Sequence, residues 1–178
     1  MKKSIASINA LANLSLLLIV SLFLVACEKE QPAKAINPEQ AEAARVALVD
    51  WLECEECTEN QLKNVMKYES QLQPMLVSTL QKGVAPASKE LYRRELEKRY
   101  DELIKYSETH PKSKPTVSKQ AFVDLYLGNL KAQYQTRAAQ ALASIGGKNS
   151  RQALQQALEE ARREDVKQFI EQSLKEMR

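Results

Sequence analysis

Histidine and tryptophan each occur once in this 178-residue chain, cysteine three times and glycine four times. Each scarcity removes a class of function. The single histidine, His110, has no second histidine and no serine or cysteine nucleophile paired with it, so general-base catalysis has little to work with. Beside Pro111 in a lysine-rich stretch, it is expected in solvent. Charge of neither sign is in large excess: 26 basic residues face 23 acidic ones, a formal +3. Without Lys2 and Lys3 the balance is 24 to 23, a formal +1. That leaves no surplus of the kind nucleic-acid binding draws on. No stretch alternates apolar and polar residues between turn signals, so no strand is expected. What is abundant is Ala, Leu, Gln, Glu, Lys and Arg, the strong helix formers. The chain is expected to be all-α.

The first residues have a different character. Lys2 and Lys3 precede an apolar run from Leu16 to Ala26, broken only by Ser21. A bilayer-spanning helix needs about 20 apolar residues, so this run is too short and fits the apolar region of a secretory signal instead. It ends in Leu24-Val25-Ala26-Cys27. This string resembles the lipobox of bacterial lipoproteins, in which the chain is cut just before a cysteine that carries diacylglycerol. The resemblance implies a signal peptide over 1–26, lipidation of Cys27 and attachment to a membrane through acyl chains such as palmitate. Glu28 follows the cysteine; in the sorting pattern of such lipoproteins, an Asp there would retain the protein in the inner membrane. The implied location is the periplasmic face of the outer membrane.

Residues 27–40 are polar and carry Pro32 and Pro38, and read as a tether. The rest, 41–178, is the size of one domain. Asn37-Pro38 predicts a helix start, with Ala44, Ala47, Leu48, Trp51 and Leu52 on one face of a helix to about Glu53. Thr58, with Gln61 three residues on, predicts a capping box. A third segment containing Pro74 is expected to end near Gly83. Pro86 opens a long charged helix to about Thr109, expected to be central, with apolar positions at Leu91, Leu96, Tyr100, Leu103 and Ile104. Its charged face is expected to be solvated and ion-paired four residues apart. The segment His110–Pro115 reads as a loop. Ser118 starts another helix, and Gly128-Asn129 is expected to break it. Trp51 and Tyr68 read as core residues.

From Arg137 the pattern changes. Arg137-Ala-Ala-Gln-Ala-Leu-Ala-Ser-Ile-Gly146-Gly147 reads as a helix closed by glycine. Asn149 and Asp165 are expected to cap the next two helices. A shift of 32 residues superposes Tyr134 on Val166, Ala138 on Ile170, Leu142 on Leu174 and Ile145 on Met177. Over 134–178 this resembles short HEAT repeats of the phycobilisome-lyase type, and implies an α-solenoid-like domain of HEAT-like helix pairs. The likeness carries over no catalytic residue.

Cys54-Glu55-Glu56-Cys57 is a C-x-x-C motif. Glu53, Glu55, Glu56 and Glu59 surround it, and that negative charge should raise the thiol pKa values and weaken a thioredoxin-like role. A structural zinc site needs four ligands. With Cys27 taken up by lipid, only this pair and the remote His110 remain. A Cys54–Cys57 disulfide pinning a helix end is the expected state in an oxidising compartment, with redox use, metal binding or inert thiols as the alternatives. The expected function is therefore a non-catalytic protein-binding or scaffolding module on the periplasmic side of a membrane. An unidentified envelope protein is its expected partner, and no cofactor, metal, nucleic acid or small-molecule substrate is expected. A redox or assembly accessory factor using Cys54 and Cys57, or a factor that binds peptides in a groove, are the other classes.

Overall fold

Helix starts along the chain follow capping chemistry. Asn37 Oδ1 accepts from the Glu39 amide at 3.0 Å, and Pro38 occupies the first turn, where its missing amide costs nothing. Helix α1 (Pro38–Glu53) begins there. Before α2 (Glu59–Met66), Thr58 Oγ1 accepts from the Gln61 amide at 3.3 Å while Gln61 Oε1 accepts from the Thr58 amide at 2.8 Å. This is the reciprocal capping box. Helix α3 (Glu69–Lys82) tolerates an exposed Pro74 and stops at Gly83, whose φ of +74° suits glycine. Pro86 opens α4 (Pro86–Thr109), followed by a 3-10 turn over Pro111–Ser113. Ser118 Oγ caps α5 (Lys119–Ile145) by accepting from the Ala121 amide. Helices α6 (Gly147–Glu160) and α7 (Glu164–Glu176) complete the order.

These elements come from a computed structural model that describes residues 37–177, an all-α stretch of seven α-helices with no strand among the described residues. The expected signal peptide, Cys27 and the tether as far as residue 36 lie outside the described residues. Among the described residues, no helix is long and apolar enough to cross a membrane.

Four sequence expectations are corrected. Helix α5 runs unbroken through Gly128-Asn129. A mid-helix glycine costs only about 1 kcal/mol relative to alanine. Here Leu127 and Ala132 are buried on either side, and Asn129 Oδ1 is held by Arg163 Nη1 at 3.0 Å. Tertiary packing overrides the local weakness. Asn149 does not cap α6, because Gly146 and Gly147, at φ +72° and +77°, make the reversal and the helix starts before it. Asp165 likewise sits inside the first turn of α7, whose N-cap is Arg163. Its carboxylate bonds the Arg163 guanidinium at 2.6 Å and accepts from the Val166 amide at 2.9 Å. The arginine holds that carboxyl below the usual aspartate range.

The fourth correction concerns the centre. The charged helix α4 is peripheral and packs against α5 alone among the helices, whereas α5 touches every other helix. Alanine makes this possible: Ala138, Ala139 and Ala141 are fully buried, and their small side chains let α3 and α7 come close on two sides of α5. Leu72, Leu76 and Leu80 of α3 complete that contact, each fully buried. Trp51 of α1 is buried and donates from Nε1 to the Arg137 carbonyl at 3.0 Å. The positions paired by the 32-residue shift are inward in both halves: Tyr134 with Val166, and Ala138 with Ile170.

Helix α4 and the first turns of α5 form an arm with a small core of its own, made of Phe122, Val123 and Leu127 under Leu96, Tyr100 and Leu103. Tyr100 meets Phe122 edge-on at 5.4 Å. Leu91, expected on the apolar face, is 70% exposed. The charged face of α4 does pair along the helix, as in Arg94–Glu90 at 3.2 Å.

Candidate functional site

The C-terminal end of α1 presents backbone carbonyls that have no partner within the helix. Helix α5 supplies the partners. Arg137 Nη1 donates to the Leu52 carbonyl at 2.6 Å, its Nη2 donates to the Cys54 carbonyl, and Gln133 Nε2 reaches the Leu52 carbonyl at 3.3 Å. Burial lowers the Arg137 pKa from its ordinary value, and proximity to the Tyr134 ring oxygen opposes that shift. Beside this clamp, Tyr134 donates to Glu53 Oε1 at 2.6 Å. Burial, and then the bond to Glu53, push the Tyr134 hydroxyl far above the usual tyrosine range. Tyr92 of α4 lies in the same cluster and is raised by burial and by the charge of Glu53.

Cys54 and Cys57 close this helix end. They are joined as a disulfide, with Cα atoms 5.3 Å apart, within the range a disulfide spans. Cys54 is buried and Cys57 is exposed, so one face of the bond is open to solvent. The Arg137 guanidinium lies against the Cys54 carbonyl, a positive charge that the run of glutamates around the motif did not reveal.

Next to this end, a groove of about 720 Å³ opens between α1, α3 and the start of α4. Its apolar surface includes Leu48, Val49, Met75 and Val84. Val49 and Met75 are exposed at 40% and 43%, although each belongs to a helix whose other face is core. Lys82 and Lys89 stand at the rim with no ion pair among the described residues, while Arg45 is tied to Glu42 at 2.7 Å. Glu53 and Tyr134 close one end. A large apolar surface left exposed and edged by charge is the usual form of a binding groove.

The structure brings the C-x-x-C pair to the edge of this region, since Cys54 and Glu53 both line a shallow depression shared with Val46 and Val49. His110 is elsewhere. It is exposed beyond the end of α4 and stacks on Tyr106 with ring centroids 4.1 Å apart. No three His, Cys, Asp or Glu side chains gather as metal ligands would among the described residues. Cys27 lies outside the described residues.

Sequence reasoning missed the groove itself. One signal was readable: Val46 and Val49 fall off the face defined by Ala44, Leu48 and Trp51, so α1 has apolar residues on both sides. Met75, Lys82 and Lys89 gave no signal, because only the packing of α3 against α1 and α4 assembles them. Comparison of the chain with family models, curated proteins and solved structures finds no significant match to any of the three.

Proposed function

We propose that the chain is a lipid-anchored envelope module whose helical domain holds a protein partner in the groove between α1, α3 and α4. One observation carries this reading: a groove of about 720 Å³ whose exposed apolar residues, Val49 and Met75, lie beside two lysines that form no ion pair among the described residues. The complementary occupant is an amphipathic helical segment. Its apolar stripe covers Val49 and Met75, and acidic side chains at its edge meet Lys82 and Lys89. The lipobox-like Leu24–Cys27 supports a location at the periplasmic face of the outer membrane, with the polar stretch after Cys27 as a tether. The HEAT-like reading of 134–178 fits the same role, because stacked helix pairs offer long binding faces.

Two experiments test the two halves of this reading. Metabolic labelling with radioactive palmitate should mark the protein, and Cys27→Ser should abolish both the label and sedimentation with membranes. Label retained by the serine variant overturns the anchor. A photo-crosslinking amino acid at Met75 should give a discrete adduct in intact cells, and the captured protein should carry an acidic amphipathic segment. Val49→Asp should remove the adduct without changing the circular dichroism spectrum. Crosslinks to lipid alone, or none, overturn the partner.

A second reading has its own observation, the C-x-x-C disulfide with exposed Cys57 and the Arg137 guanidinium bonded to the Cys54 backbone carbonyl. Positive charge lowers a thiol pKa and favours exchange, as a redox accessory factor requires. Replacing both Cys54 and Cys57 by serine separates the two readings. A scaffold keeps its Met75 adduct, whereas a redox factor loses its activity and keeps only the fold.

A further inference from the structure

A second cleft, of about 270 Å³, lies on the other side of the α3–α4 turn, between that turn and α5. Four cationic side chains line it: Lys82 and Lys89 beside the turn, Arg93 one turn along α4, and Lys131 from α5. Among the described residues, the only carboxylate in its lining is Asp124. Asp124 Oδ2 accepts from Gln120 Nε2 at 2.8 Å and forms no ion pair with any of the four. Lys82, Lys89 and Lys131 have no ion-pair partner among the described residues, and Arg93 has only Glu90 at 3.8 Å. The described part of the chain carries as many basic as acidic residues. A local excess of cations in a neutral domain is therefore a matter of placement.

The placement is enforced by the backbone. Gly83 has φ +74°, and a Cβ there would come 2.5 Å from Lys131 Cγ. The lysine stem lies directly against the glycine, so the stem of Lys131 starts beside the turn that follows Lys82. Like charges held together repel one another, and this repulsion is relieved when an anion enters. The cleft is far too small for a helix and large enough for one phosphate group. Its lining of amines and a guanidinium matches phosphate oxygens.

We propose that this cleft binds a phosphate dianion, carried on a soluble phosphorylated compound or on a lipid headgroup. The inference does not depend on the groove having a protein partner. Arg93 and Lys131 line the cleft but not the groove, so variants at these two positions test it separately.

The test is a titration of the full chain in nonionic detergent, followed by amide chemical shifts. Inorganic phosphate should shift the signals of residues 82–93 and 128–131 with a saturable curve. Lys131→Gln, which keeps the stem packed on Gly83, and Arg93→Gln should each weaken binding about tenfold, as expected for the loss of one charge-assisted hydrogen bond. Lys105→Gln, exposed on α4, should leave the curve unchanged. Raising sodium chloride to about 0.5 M should weaken it by screening. Detergent-solubilised phosphatidic acid that displaces phosphate assigns the site to headgroups; displacement by glycerol phosphate alone assigns it to soluble compounds. Shifts that do not saturate, or that are the same in the Lys131→Gln, Arg93→Gln double variant, overturn the proposal.

Discussion

Arg137 joins two parts of the chain that are distant in sequence. Its guanidinium donates to the Cys54 carbonyl and shares the Leu52 carbonyl with Gln133 Nε2, at a partly buried helix end. Charge-assisted bonds of this kind contribute about 1.5–3 kcal/mol together with the cost of an orphaned carbonyl when they are lost. Arg137→Met, which keeps the packing of the stem, should therefore destabilise the protein by about 2 kcal/mol. A thermal melt should show the midpoint lowered by roughly 5–8 °C. Tyr134 gives a prediction with a sign. Burial raises its pKa above the ordinary value of 10, so above that pH the unfolded chain loses a proton that the folded chain keeps. Stability is then full below pH 10 and falls as pH rises beyond it. Tyr134→Phe removes the ionisable group. Its circular dichroism signal between pH 10 and 11.5 should decline less steeply than that of the parent, although the variant starts slightly less stable through the lost bond to Glu53.

At the scale of elements, two glycines behave oppositely for reasons visible in their surroundings. Gly128 lies inside α5 with ordinary helical backbone, and a Cβ there would meet nothing closer than Arg163 Nη1 at 3.8 Å. Gly128→Ala should stabilise the protein by up to about 1 kcal/mol through helix propensity and a less free unfolded chain. Gly83→Ala should destabilise it by about 1–2 kcal/mol, since φ +74° strains any side chain and the new methyl collides with Lys131. Urea titration of both variants checks the pair, and two changes of the same sign would contradict it. Capping was the best-read feature of the sequence. Asn37, Thr58 and Ser118 sit where their side chains accept the first free amides of α1, α2 and α5. Such caps are local, needing only residues within one turn. Asn149 and Asp165 misled for a related reason: both are good cap residues, but the Gly146-Gly147 reversal and the Arg163–Asp165 pair had already set the starts.

Across the whole molecule, the domain has one extensive core centred on α5 and a smaller one under α4. Only Ser107 of α4 is buried, whereas α3 buries Leu72, Leu76 and Leu80. Local opening should therefore be easier in the arm than in the centre. Hydrogen exchange should show α4 amides exchanging at least tenfold faster than those of the C-terminal half of α3, and equal protection would contradict the two-core description. Helix α4 carries i,i+4 ion pairs along its exposed side, but such pairs add only a few tenths of a kcal/mol each. They keep the helix formed without fastening it to the domain. The sequence suggested a central role for this helix because it is long; its charge on most sides was the better guide.

The sequence by itself determined the helical class, most helix ends and the inward face of α1, and it pointed to the pairing of Cys54 with Cys57. These follow from propensity, capping and periodicity, which act over a few residues, and from a cysteine spacing short enough to close without a fold. The tertiary structure alone decided which helix is the hub, that Gly128 is carried through an unbroken helix, and how α1, α3 and α4 leave a groove. It also decided that four cations from three separate segments share one cleft. These features depend on contacts between residues tens of positions apart, where the free energy of packing against α5 outweighs local preference.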